Sequence, residues 1–318
     1  MNSRSQSDKG GAIPRNDHFA EWRLLLKNCG RKPTRKNVHA LRVVTLRLQA
    51  EVEQDLAGQV RESDHGKAIL RFSKQAEKLR RVLGPVREFD VWLEALRGLR
   101  ASLSQTAVYV PRSTSESIRG IERLEGRLKR KRRTAEKKLV AEIEKHGSHL
   151  VSASEAVDAA LEQNTFGERS GITEELAARF RAVSADFPKL DEEDLHEFRK
   201  RIKTVRYLAE MHAGADPMCA QIGAQMKKMQ AAIGEWHDWQ ALAREVREGR
   251  HAKDEALAEL LDTVTAESFD AAMSTVDGIT TQMLSEPGVK TDLLQPPGRK
   301  PPMLSEDGLF RHLAQKLA

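Results

Sequence analysis

Cysteines, aromatics and long apolar runs are all scarce in this chain of 318 residues. Cys29 and Cys219 are its two cysteines, with neither metal-type nor redox-type spacing. That excludes a disulfide framework and fits a reducing, cytoplasmic setting. No apolar stretch approaches the ~18 residues of a membrane span. The opening residues, MNSRSQSDKGGAIPRND, hold no apolar core of a secretory signal. Strand-type alternation is missing, and so are the glycine loops that cradle nucleotide phosphates, in either the G-x-x-x-x-G-K-[ST] or the G-x-G-x-x-G form. Aromatics make up 5% of the chain, and Trp22, Trp92, Trp236 and Trp239 fall among apolar helical positions. An interleaved stacking platform for single-stranded nucleic acid is therefore not evident.

Charge is plentiful by contrast. Charged residues are 31% of the chain and the formal net charge is +6. Residues 251–318 hold 6 Lys or Arg against 11 Asp or Glu, so the first 250 residues carry +11. A basic body points to anionic partners: nucleic acid, a membrane surface or another phosphate polymer.

Helical periodicity runs through almost every segment. It predicts helices near 17–29, 34–57, 65–83, 86–102, 115–146, 172–185, 191–212, 215–232, 235–249 and 252–284. In VLGPVRE at 82–88, Gly84 and Pro85 read as a helix stop and restart. The first 16 residues read as disordered, and 286–318, with five of the eleven prolines, as a Pro-rich extended tail. The segments also repeat. VHALRVVTLRLQA at 38–50 superposes without a gap on LHEFRKRIKTVRY at 195–207, and VLGPVREFD at 82–90 on AIGEWHDWQ at 232–240. The fold class is therefore all-α, with two similar four-helix-bundle halves (17–150 and 170–285) related by duplication and a basic surface between them.

Three helices carry cations of one sign beside an apolar seam. In 195–207, Leu195, Phe198, Ile202 and Val205 form the seam, while His196, Arg199, Lys203 and Arg206 form a ridge one position away. Residues 65–83 place Lys67, Arg71, Lys74, Lys78 and Arg81 in a second stripe. A third run, 119–138, holds ten Lys or Arg, among them Arg127, and Lys131 on the extension of the Leu124–Leu128 seam toward a wet groove. Ordinary solvated faces mix signs and gain from Glu–Lys pairs, so these stripes forgo stabilisation that a bound polyanion would supply.

His39 and His196 have Arg and Lys neighbours, which repel cations, so the sequence calls for no metal. No nucleophile partners them, which argues against catalysis. Glu88, Asp90 and Asp238 follow the Gly84 and Gly234 breaks and read as helix caps in preference to anchors that orient Arg or His.

Four stretches together resemble the CHAD domains (conserved histidine α-helical domains): V-H-x-x-R-V-x-T-x-R-L at 38–48, L-H-x-x-R-K-x-x-K-x-x-R-Y at 195–207, L-G-x-V-R-E-x-D at 83–90 and I-G-x-x-H-D at 233–238. The resemblance spans about 17–285. It implies a non-enzymatic, cofactor-free module that binds inorganic polyphosphate, in the cytoplasm or on polyphosphate granules. The residues it nominates are His39, Arg42, Arg47, Lys74, Lys78, His196, Arg199, Lys200, Lys203, Arg206 and Lys228, and the 119–138 run adds Arg127 and Lys131. Leu46 and Gln49 stand where that family usually has Arg, and Glu53 prolongs the stripe with an acid, which shifts the expected weight of binding to the second half. Nucleic-acid binding through 119–138 is the alternative.

Overall fold

The computed structural model describes residues 15–57, 63–105, 112–163, 176, 178–179, 182–183, 192–214, 217–249 and 252–285. Among these residues stand seven long α-helices and no strand: α1 (Arg15–Arg31), α2 (Arg35–Ala57), α3 (Asp64–Gln105), α4 (Arg112–Gln163), α5 (Glu192–His212), α6 (Pro217–Glu248) and α7 (Glu255–Ser285), with a 3-10 turn at Ala252–Asp254 before the last. The all-α expectation holds. Of the predicted 172–185 helix only 176, 178–179 and 182–183 are described, and each is helical. The disordered start and the Pro-rich tail fall outside the described residues, apart from the first residues of α1.

Local chemistry sets the helix starts. Thr34 Oγ1 accepts the Asn37 backbone N–H at 3.2 Å, and Ser63 Oγ accepts that of Gly66 at 3.0 Å, so each hydroxyl caps the helix it precedes. Pro217 opens α6, where its missing N–H costs nothing.

Two predicted helix breaks are not there. Residues 65–83 and 86–102 belong to one helix, α3, with Pro85 inside it; 215–232 and 235–249 belong to α6, which passes through Gly234 unbroken. A proline inside a helix costs about 3 kcal/mol. Leu79, Leu83 and Val86 around it and Leu96 beyond it are all 0–1% exposed. Each such side chain contributes roughly 1.5–3 kcal/mol on burial, so the seam outweighs the lost hydrogen bond. Gly84 carries no Cβ to crowd the ring of a following proline, which eases the helix through this step. Similarly, 115–146 understates α4, which runs on to Gln163.

Three apolar cores result. The first packs α1, α2, the front of α3 and the back of α4; Trp22 is fully buried there and donates Nε1–H to Thr45 Oγ1 at 2.8 Å, satisfying the polar residue in the α2 seam. A second joins α5, the front of α6 and the back of α7 with Leu176 and Val183. Between them, the back of α3, the front of α4, the back of α6 and the front of α7 share a third. Contact there is close: a Cβ on Gly120 would lie 2.9 Å from Leu257 Cβ. The long hairpins α3–α4 and α6–α7 thus run from the central core into the flanking ones, which brings α2 against α5 and α3 against α6.

Candidate functional site

At that junction, cations from three helices converge. Arg42 comes from α2, Arg80 and Arg87 from α3, and Arg199 and Lys203 from α5; Arg42 lies within the electrostatic reach of Arg80, Arg199 and Arg87, and Lys203 within that of Arg199, Arg42 and Arg80. The seams described above force this. Arg80 and Arg87 are seven residues apart and so nearly eclipsed, at the margin of the buried α3 seam. Arg199 and Lys203 flank the buried Leu195, Phe198 and Ile202 in the same way.

The electrostatics of the group are those of crowded like charges short of water. Burial, followed by the fields of Arg199, Arg42 and Arg80, pushes the Lys203 ammonium from its ordinary 10.5 down to about 8. Burial, then Arg80, lowers Arg42; burial, then Arg35, lowers Arg87; burial lowers Arg199, which Asp238 partly offsets. Asp238 on α6 and Glu88 and Asp90 on α3 are the acids at hand, and desolvation, then Asp238, raises the Glu88 carboxyl.

Two neutral groups seat the guanidinia. Arg199 lies over Gly234, where a Cβ would sit 3.5 Å from Nη2 and 3.7 Å from Nε. The glycine breaks no helix and instead leaves room for a flat cation on the α6 backbone. The Arg199 Nε is buried without a hydrogen-bond partner among the described residues. Gln49, 5% exposed, accepts Arg80 Nη1–H at 2.7 Å and donates Nε2–H to the Ser73 carbonyl at 3.3 Å.

The nominated residues divide accordingly. Arg42, Arg199 and Lys203 are brought together. His39 is exposed at the margin, and partial desolvation followed by Arg87, Arg35 and Arg42 depresses its imidazole. His196 occupies the α5 ridge, but its side chain lies outside the described residues. Arg206 donates to Glu210 at 2.7 Å and to Gln230 at 3.1 Å, and Arg47 stands 3.9 Å from Glu210, so an acid already engages both. Lys74 and Lys78 are exposed, roughly 120–160° around α3 from Arg80, and do not join the cluster. Lys200 pairs with its neighbour Glu197 at 2.6 Å, and Lys228 is exposed on α6.

Half of the ten cations in the 119–138 run are engaged by acids. Arg123 and Arg127 donate to the buried Asp254 at 2.8 and 2.9 Å, Lys129 to Glu125 at 3.3 Å and Lys131 to Glu245 at 2.5 Å. Arg132 binds Asp90 at 2.7 Å, Glu136 at 2.5 Å and the Pro33 carbonyl at 3.0 Å. Asp90 is therefore no cap; it is 6% exposed inside α3 and ties that helix to α4. Glu88 and Asp238 likewise sit inside continuous helices, with the cations rather than at a terminus.

Sequence reasoning missed Arg80 and Arg87. Arg87 stands inside the quoted L-G-x-V-R-E-x-D stretch, and both lie one helical step from a buried seam residue, as Arg199 does. That rule, applied to α3, would have found them, whereas the longer stripe beside them drew the eye to the outer face.

A family model described as CHAD domain matches residues 16–247. The chain belongs to the CHAD domain family. All five clustered cations fall inside the match; α7, which closes two of the cores, lies beyond it. Among curated proteins no match is found. No described helix of this CHAD protein is long and apolar enough to cross a membrane, and no described group of three His, Cys, Asp or Glu is arranged to hold a metal ion.

Proposed function

We propose that this CHAD domain binds inorganic polyphosphate without altering it chemically, using Arg42, Arg80, Arg87, Arg199 and Lys203 as the central contacts. The observation that carries this reading is the convergence of five half-buried cations on three acids, Glu88, Asp238 and Asp90, the last already bound by Arg132. Desolvated charges of one sign are costly unless an opposite charge completes them. A flexible polymer with a negative charge on each phosphate fits a row of donors better than a compact ligand does. Arg grips two phosphate oxygens at once and Lys serves as a point charge. The four Arg stay protonated, so they bind and orient an anion but supply no base, in keeping with a non-enzymatic role.

In the same reading α2 and α5 are copies from duplicated halves, at 17–150 and 170–285. Aligning Val38 with Leu195 makes Arg42 the counterpart of Arg199 and Gln49 that of Arg206; aligning Gly84 with Gly234 makes Arg80 the counterpart of Gln230. An Arg–Gln hydrogen bond joins each pair, Arg80 to Gln49 and Arg206 to Gln230, with the roles exchanged. A common ancestral contact accounts for that. A cytoplasmic position, including the surface of polyphosphate granules, follows from the ligand.

The test is a titration of the full chain with long-chain polyphosphate and with a single-stranded oligonucleotide, matched by phosphate, at two salt concentrations. Neutralising five phosphates gives a slope of log affinity on log salt of roughly −3.5. Arg42→Ala and Arg199→Ala should each flatten it by about 0.7. Equal affinity for both polymers, or full affinity in the Arg42→Ala/Arg199→Ala double variant, overturns the assignment.

A further inference from the structure

The cationic ridge of α5 does not continue to its end. Arg199, Lys203, Arg206 and Glu210 follow at spacings of 4, 3 and 4 along one face, and the last is an acid. Its carboxylate is placed as a phosphate would be. Oε1 accepts Arg206 Nε–H at 2.7 Å, and Arg47 of α2 reaches the other side at 3.9 Å. Oε2 is buried with no hydrogen-bond partner among the described residues, so its contact with Arg47 is a charge contact alone. Arg206 is held further by Gln230 at 3.1 Å and lies over the Tyr207 ring, 5.4 Å from its centre. Tyr207 itself feels Arg206, Glu210, Arg42 and Arg47, which places it between the central cluster and this second group.

Resting on the polyphosphate reading, we propose that Glu210 is a built-in counter-ion that withdraws Arg47 and Arg206 from the ligand and so ends the anion track at Tyr207. Glu210 then acts as the residue that sets the track's length. Two cations already matched by a carboxylate gain little by exchanging it for a phosphate, because exchange strands the carboxylate buried beside the incoming anion. Among the described residues no carboxylate is in ion-pair contact with the five cations on the other side of Tyr207; Asp238 and Asp90 reach Arg199 and Arg87 only at longer range. Selection for polymer length follows: short and long polyphosphates that fill the central cluster bind alike per site, and additional phosphates beyond Tyr207 add little.

Glu210→Gln is the deciding variant. It keeps an acceptor for Arg206 Nε–H and removes only the charge, so the local hydrogen bond survives. Wild type, Glu210→Gln and Glu210→Gln/Arg47→Ala would be titrated with tripolyphosphate and with long-chain polyphosphate over a salt series. The expected result is a salt slope for the long polymer steeper by about 0.7–1.4 in Glu210→Gln, as one or two more phosphates are neutralised. Tripolyphosphate should change less than twofold, and adding Arg47→Ala should remove about half or more of the gain. An unchanged slope for the long polymer in a folded Glu210→Gln protein overturns the proposal while leaving the function intact. Loss of all polyphosphate binding in wild type instead sinks the function itself. Should Glu210→Gln not fold, Arg47→Ala alone still decides: Arg47 is exposed, and a drop in slope as large as that of Arg42→Ala would show it to be a ligand contact already.

Discussion

Raising the pH through 8 should weaken polyphosphate binding, because Lys203 loses its proton there in the free protein. A bound polyanion cancels the repulsion from Arg199, Arg42 and Arg80 and draws the ammonium back toward its ordinary 10.5. Binding above pH 8 therefore takes up a proton, and log affinity falls by up to about one per pH unit until the bound value is reached. Complete restoration would amount to about 2.5 log units, or about 3 kcal/mol. Burial is the larger cause of the depression and persists in the complex. Recovery of about one unit, hence about a tenfold loss of affinity between pH 7 and 9.5, is the expected size. The free protein should respond with the opposite sign. Between about 8 and 10.5 the unfolded chain keeps the proton that the folded one has released, so stability rises with pH in that window. Titration calorimetry at pH 7 and 9.5, in buffers of different ionisation enthalpy, reports affinity and proton uptake together. Lys203→Arg keeps the charge and removes the titration. If its affinity falls between the two pH values as steeply as that of wild type, Lys203 is not the coupled group and the reasoning fails.

Arg42→Met removes one repelling, half-buried charge, so it should raise the midpoint of thermal unfolding without ligand by a few degrees while lowering polyphosphate affinity; a lower midpoint would mean that Arg42 is a structural tie. Gly120→Ala improves helix propensity yet drives a Cβ to 2.9 Å from that of Leu257, so denaturant unfolding should show a loss of about 1–3 kcal/mol; a gain would mean α4 and α7 are less tightly packed than described. Asp254→Asn discharges the 2%-exposed carboxylate that Arg123 and Arg127 share and should cost about 2–3 kcal/mol at pH 7. Burial raises the Asp254 carboxyl, but those two hydrogen bonds outweigh it and the net displacement is downward; the stabilisation is present above about pH 4 and is lost as pH falls through the folded value, so the wild-type advantage over Asp254→Asn should shrink in acid. Gln49→Leu frees the Arg80 guanidinium to swing from its neighbours and should weaken polyphosphate binding by several-fold, with a smaller effect in an Arg80→Ala background; full additivity in that cycle would show that Gln49 does not act through Arg80.

The helical class and the apolar seams of individual helices were legible because both depend on the 3.6-residue period. Leu195, Phe198 and Ile202 of α5, and Leu124 and Leu128 of α4, were read from spacing alone and are fully buried. What failed was punctuation. Gly84–Pro85 and Gly234 carry local stop signals, yet the chain passes through both in helix, since tertiary burial on either side exceeds a local penalty of a few kcal/mol. Within the site, Arg199 and Lys203 were legible as charges at a seam margin, and Arg42 through the family resemblance. The engagement of Arg127, Lys131 and Arg47 was not, because their partners Asp254, Glu245 and Glu210 come from other helices; Arg206–Glu210, an i, i+4 pair on α5, was there to be read and was overlooked. Pairing across a fold leaves no periodic trace in the chain.

That distinction separates the two kinds of cation in this molecule. Arg132 and Arg127 are basic residues completed from within, by Asp90 and Asp254 that the hairpin geometry carries to them. They act as rivets between α4 and its neighbours, and an external phosphate would have to compete with a preformed carboxylate. Arg42, Arg199 and Lys203 are held just as firmly, by seams that are 0% exposed at Leu41, Phe198 and Ile202, but the fold brings them chiefly one another. Apolar burial fixes where those backbones run, so the side chains cannot relieve their repulsion by moving apart. The free energy stored in that crowding is available to whatever anion arrives. It is released once per cation, which is why a polymer that presents several phosphates in a row draws more from it than any single phosphate can.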